Sequence, residues 1–117
     1  MDLAVRHVAS EELPELRAIL QLACNKASLL YHAETPWCSA TFEGTRHTIS
    51  LQFDGGDAVG YAEAFIAHLP NHGFALPGKI CADAAIINVL RDLTPAPRWI
   101  VTLELLVLNG AEELSYA

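Results

Sequence analysis

The sequence predicts a two-layer α+β fold in which two helices pack on an antiparallel sheet of about four strands, in the order α-ββ-α-ββ. Two segments have the apolar spacing of three and four residues that is typical of helices. Four others have the alternation or the aliphatic, β-branched composition of strands. Because the strand segments occur as two adjacent pairs, we expect antiparallel hairpins rather than a parallel sheet.

The first predicted helix begins near Ser10, whose hydroxyl can cap the free N–H groups of a helix start. Apolar side chains such as Leu16 and Ile19 then form one stripe along the segment. An apolar run extends the predicted helix to about Tyr31. We expect residues 32–36 to break it, because residues that precede proline disfavour the helical backbone.

The next two segments predict a hairpin with strands at 37–42 and 45–53 and a turn at Glu43-Gly44. Polar and apolar residues alternate in the second strand. Its predicted buried face consists of Ile49, Leu51 and Phe53. In this register Cys38 lies near Ile49 and is at best diagonal to His47. A cysteine in that position behaves as a small hydrophobic residue rather than as a nucleophile.

Two structures are open for residues 58–69, which follow an Asp-Gly-Gly-Asp turn. The alternation of Val59, Tyr61 and Phe65 would make a hairpin strand. Four alanines and a cap at Asp57 favour a helix. The glycines lack the spacing of known phosphate-binding loops, and two aspartates would repel phosphate, so we interpret this stretch as a turn.

The final pair of predicted strands spans 79–91 and Arg98–Asn109, with two prolines in the connection. Both faces of the last strand are largely apolar, and such strands are usually covered on both sides. Either the two helices each cover one face, or a second copy of the chain covers one of them. This pattern is the main argument for a homo-oligomer.

Asp83 and Glu104 are acids within these otherwise apolar strands. If the hairpin places them directly opposite each other, the two carboxylates repel and one pKa rises, as in acid/base pairs. The alternative function is therefore a small enzyme or ligand-binding protein with Asp83 and Glu104 as catalytic candidates. His47 or His72 would be neighbours of that site, and the competing interpretation is two ordinary surface acids.

A second set of candidates consists of His68 and His72, whose spacing of four residues allows two imidazoles to share a metal on a helix. Pro70 lies between them, and a zinc site needs at least one more ligand, for which Cys81 or Asp83 is nearest in sequence. Because that ligand set is incomplete, we expect no metal and no other cofactor.

Composition sets the remaining limits. The chain has 117 residues, of which 52% are hydrophobic, and 7 basic against 14 acidic side chains give a net charge of −7. We expect one domain, 1–117, with a frayed tail at 111–117. The acidic balance disfavours nucleic acid and anionic membranes as partners. Three widely spaced cysteines favour a reducing, cytoplasmic location.

These observations together predict a small, soluble, acidic domain that self-associates, most simply as a homodimer, and acts as a binding or interaction protein without catalytic activity. A small molecule or another protein is a possible ligand. No motif identifies a reaction.

Overall fold

A computed structural model describes residues 6–7, 13–74, 76 and 78–109. It contains two α-helices, four long strands and one two-residue strand. In chain order these are β1 (Arg6–His7), α1 (Pro14–Leu22), β2 (Ser28–Cys38), β3 (Glu43–Asp54), α2 (Gly56–His68), β4 (Lys79–Asp92) and β5 (Arg98–Asn109). A single 3-10 turn, Leu69–Asn71, follows α2. The expected frayed tail and the predicted cap at Ser10 lie outside the described residues.

The strands form one antiparallel sheet in the order β1-β2-β3-β5-β4. The predicted α+β class and the order α-ββ-α-ββ are confirmed, with β1 as a short addition at one edge of the sheet. None of the described helices is both long and apolar enough to span a membrane.

The first helix is shorter than the sequence predicts. It ends at Leu22, and the chain then turns through Cys24 and Asn25, which both have a φ of 57°. Left-handed residues of this kind commonly end helices, and asparagine tolerates that backbone better than most residues. The predicted extension of the helix to Tyr31 is therefore wrong.

The segment predicted as a break, 32–36, is the middle of β2 and not a loop. Pro36 is tolerated there because β1 pairs only with Ala33 and Glu34, so that β2 is an edge strand at Pro36 among the described residues. The predicted turn at Glu43-Gly44 is also wrong, since Gly44 pairs with Trp37 inside the hairpin.

The ambiguous segment 58–69 is helical, as propensity favours. Helix α2 begins at Gly56 and its N-cap is Gly55, which has a φ of 88°. Asp57 lies in the first turn rather than at the predicted cap position, where its charge still favours the positive end of the helix dipole.

The last hairpin has the predicted strands but another register. Asp83 pairs with Leu106, and Glu104 pairs with Ala85. Irregularities between Cys81 and Asp83, and again after Ile86, each shift the pairing. Asp83 and Glu104 therefore share a face but are diagonal neighbours, and the predicted direct opposition is wrong.

Both helices pack on the same face of the sheet, which we call the inner face. One core joins the buried sides of α1 and α2 to alternate residues of β3 and β5. Its strand members include Ile49, Leu51, Phe53, Trp99, Val101, Leu103, Leu105 and Val107. The possibility that each helix covers a different face is therefore excluded, and no described helix lies on the other, outer face.

Candidate functional site

The outer face combines apolar and polar side chains that no described element covers. On β4, Ile80, Ile87 and Leu90 are 44%, 50% and 55% exposed. The even-numbered residues of β5 are partly exposed along the whole strand. They are Ile100, Thr102, Glu104, Leu106 and Leu108. The doubly apolar pattern of β5 thus corresponds to one buried and one uncovered face.

A hydroxyl pair lies across the middle of this face. The Ser50 and Thr102 hydroxyl oxygens are 2.8 Å apart, on directly paired residues of β3 and β5. Towards β2 the face becomes more polar, with Thr48 and the exposed Arg46. The outer face is therefore apolar on β4 and β5 and again at Tyr31 of β2, which is 42% exposed and pairs with Ser50.

The inner face holds a second feature, a pair of buried histidines. His32 of β2 and His47 of β3 are each 3% exposed. His32 Nε2 and His47 Nδ1 are 2.8 Å apart, with nearly parallel rings at an interplanar angle of 11°. One of these nitrogens donates its proton to the other, so the pair is hydrogen bonded away from water.

Glu34 completes a group of three on this face. It pairs directly with His47 across the two strands, and it is two residues from His32 on the same strand. Residues two apart on a strand point to the same face, so all three side chains are on one side of the sheet. Their potential ligand atoms lie within 4.8 Å of one another.

Helix α1 and strand β4 add a partly buried ion pair near this group. Glu15 is 3% exposed, and one of its carboxylate oxygens is 3.0 Å from Nζ of Lys79. Burial alone would raise the pKa of Glu15, but the hydrogen bond and charge of Lys79 outweigh it and lower that pKa. Glu15 is therefore held as a carboxylate.

Burial has the opposite consequence for His47. Removal from water lowers the pKa of His47, and the electrostatic effects of His32 and of the Lys79 ammonium act in the same direction. The carboxylates of Glu15 and Glu34 oppose this shift but do not reverse it. The His47 ring is accordingly neutral at neutral pH and has a lone pair available as an acceptor or ligand.

The two predicted acids, Asp83 and Glu104, lie in different environments. Asp83 is exposed on the edge strand β4, whereas Glu104 is half-buried on the outer face of β5. Diagonal neighbours of this kind are separated by about 7–8 Å, farther than directly opposed residues. His47 lies on the inner face, so the sheet separates it from both acids.

His68 and His72 lie on the rim of a groove between α1 and α2, with a volume of about 680 Å³. His68 ends α2 and His72 follows the 3-10 turn; both are exposed. The His72 ring packs edge-on against Phe74 at 4.5 Å. Cys81, a proposed third ligand, lies on β4, where it pairs with Val107.

Cys38 and His47 are not brought together. Cys38 pairs with Glu43, and His47 pairs with Glu34, four residues away along β2. At the rise of a strand this is a separation of about 13 Å along the chain direction.

Sequence reasoning missed His32 and Glu34. The signal that indicates them is His-x-Glu in a strand, with a histidine on the neighbouring strand. It becomes visible only once 32–36 is assigned to a strand, since a helix or loop would not align the two side chains.

Comparisons with protein-family models, with curated proteins and with solved structures find no match to this chain.

Proposed function

We propose that this protein is a non-catalytic interaction domain that forms a homodimer by packing the outer faces of two sheets together. The observation that carries the proposal is the placement of both helices on the inner face, which leaves the apolar outer-face residues of β4 and β5 without a covering element in the described part of the chain. Sheets packed face to face in this way bury their apolar side chains about 10 Å apart.

The size of the outer face is appropriate for a dimer. Four long strands at about 4.8 Å spacing are about 19 Å wide, and eleven residues at about 3.3 Å per residue are about 36 Å long. The resulting area of about 700 Å² is close to the roughly 800 Å² that each partner contributes to a standard interface. The apolar side chains of β4 and β5 cover part of this area, and exposed apolar patches of a few hundred Å² favour association.

Charge supports a second copy as the partner. Arg46 and Glu104 are diagonal neighbours on the outer face, because Arg46 pairs with Leu106 and Glu104 with Thr48. In a twofold interface each contact occurs twice, so Arg46 of one copy can pair with Glu104 of the other in both directions.

Face-to-face packing is favoured over pairing along the β4 edge. Strand β4 has two irregularities in its pairing with β5. Bulges twist an edge strand and disrupt the row of backbone groups that a second strand would need. The apolar side chains of β4 remain available to the outer-face interface.

The test is sedimentation of the purified full chain, with two matched variants. Leu90→Glu places a charge on the outer face, where Leu90 is 55% exposed and pairs with Ile100. Leu93→Glu places the same charge on the nearby β4–β5 loop, where Leu93 is 71% exposed. Because both leucines are exposed, neither substitution disturbs the core.

We expect the wild type and Leu93→Glu to sediment as dimers of about 25 kDa, twice the 12.7 kDa chain, at about 100 µM. Leu90→Glu weakens the dimer by at least about tenfold, since it buries an unpaired charge. A wild type that is monomeric at about 100 µM refutes the proposal. Equal association of the two variants refutes the assigned face.

We place this function in a reducing, cytoplasmic environment. The three cysteines are free thiols, and Cys24 and Cys38 are exposed. Exposed free thiols are compatible with a compartment in which thiols stay reduced.

A further inference from the structure

We propose that His32, Glu34 and His47 form a binding site for a divalent transition-metal ion such as Zn²⁺. The site is on the inner face of the sheet, opposite the proposed dimer interface, and is independent of self-association. Two imidazoles and one carboxylate are a recurrent ligand set for such ions, and they leave further coordination positions open.

The backbone positions the three ligands before any ion binds. His32 and Glu34 project from β2 at positions two residues apart, and His47 projects from the directly paired strand β3. Ladder hydrogen bonds fix both strands, so little conformational entropy is lost when the ligands converge. The same argument favours sites on strands over sites on loops.

The distances are near those of a coordinated ion. Zinc–nitrogen bonds of about 2.0–2.1 Å at a tetrahedral angle place two ligand nitrogens about 3.3 Å apart. The two imidazole nitrogens are now 2.8 Å apart, so the rings need to separate by about 0.5 Å. The Glu34 carboxylate, within 4.8 Å of both, closes the remaining gap by rotation of its flexible side chain.

The proton between the rings moves without leaving the pair. In the hydrogen bond one ring carries its proton on the shared side, and that nitrogen cannot bind a metal. A shift of this proton to the other nitrogen of the same ring frees both facing lone pairs. The step changes a tautomer and breaks one hydrogen bond, and two metal–nitrogen bonds replace it.

Surrounding charge favours a cation. Glu34 in the group and Glu15 on α1 both act on His47 as negative charges. Lys79 is the opposing positive charge, and its hydrogen bond with Glu15 directs it towards that carboxylate.

The experiment is calorimetric titration of Zn²⁺ into full-length protein previously stripped of metal with a chelator. We expect one ion per chain with a Kd below about 1 µM. His47→Gln weakens binding by at least about 100-fold, because it removes one of three ligands and leaves an incomplete set. The matched control His72→Gln removes an exposed histidine and leaves the affinity unchanged.

Two further measurements keep the result interpretable. Glu34→Gln alters a half-buried ligand without touching the histidine pair, so it retains the fold by circular dichroism and weakens Zn²⁺ by about tenfold. Binding of Co²⁺ to the wild type gives visible d–d bands without the intense near-ultraviolet band of a cobalt–thiolate bond.

Three outcomes overturn the proposal. The first is a wild type that binds Zn²⁺ no more tightly than about 100 µM. The second is wild-type affinity for Zn²⁺ in both His47→Gln and Glu34→Gln, which would leave the buried pair as a hydrogen bond alone. A thiolate band in the Co²⁺ spectrum would place the ion on a cysteine instead.

Discussion

The two faces of β5 respond differently to the same substitution. Leu103 is 0% exposed in the core, and Leu106 is half-buried on the outer face. Replacing Leu103 by alanine removes three carbons at about 0.8 kcal/mol each and leaves a cavity among the core residues. We expect Leu103→Ala to lower the free energy of unfolding by about 3–5 kcal/mol.

Leu106→Ala lowers the free energy of unfolding by less than Leu103→Ala does, and the amount depends on protein concentration. In the monomer the Leu106 side chain is partly in water already, so its truncation costs only about 1–2 kcal/mol. In the dimer the partner covers it, and dimer formation itself adds stability by mass action. The destabilisation by Leu106→Ala therefore grows with protein concentration, whereas that by Leu103→Ala does not.

Urea unfolding followed by circular dichroism at about 1 µM and about 100 µM measures both effects. The reasoning is refuted if Leu106→Ala costs as much as Leu103→Ala at the low concentration, since the outer face would then belong to the core of one chain. A cost of Leu106→Ala that is identical at both concentrations also contradicts it.

Three other predictions follow from the structure. The pKa of Glu15 is lower in the folded protein than its unfolded value of 4.5. The Glu15 carboxylate therefore stabilises the fold at pH values above 4.5, and this stabilisation is lost as the pH falls through the folded pKa. In urea unfolding, the stability difference between wild type and Lys79→Met should accordingly shrink below pH 4.5, and a constant difference would contradict the ion pair. Gly55→Ala should destabilise by about 1 kcal/mol because its φ of 88° disfavours a side chain, whereas Gly60→Ala in α2 should be neutral or stabilising by thermal unfolding. Burial raises the pKa of the Cys81 thiol, so a maleimide should label it more slowly than the two exposed cysteines, and equal labelling rates would exclude that burial.

The strength of the local signal decided which elements the sequence predicts. Helix α2 and the strands of the last hairpin follow from alanine content, β-branched residues and the prolines of the connection. The sequence does not predict β2 as a strand, because its pairing with β3 shifts between Leu29 and Tyr31. This irregularity interrupts the two-residue alternation that is typical of strands. An apolar run without alternation resembles the end of a helix.

Register is the other quantity that the sequence does not specify. The irregularities in β4 contain no glycine to indicate them, and each one displaces the pairing of β4 with β5. The direct opposition of Asp83 and Glu104 depended on an uninterrupted ladder. Asp83 and Glu104 are therefore diagonal neighbours. The histidine group likewise depends on strand pairing, because only the register of β2 with β3 brings His47 next to His32 and Glu34.

The measurement that tests the central claim most directly is methyl NMR of the full chain at about 10 µM and about 500 µM. Self-association through the outer face predicts concentration-dependent shifts for Ile87, Leu90 and Leu106. The core methyl groups of Leu16 and Leu103 serve as the reference and should not move. Identical spectra from a protein with the diffusion coefficient of a monomer at about 500 µM, or shifts confined to the helical side of the sheet, would contradict a dimer formed by the outer face.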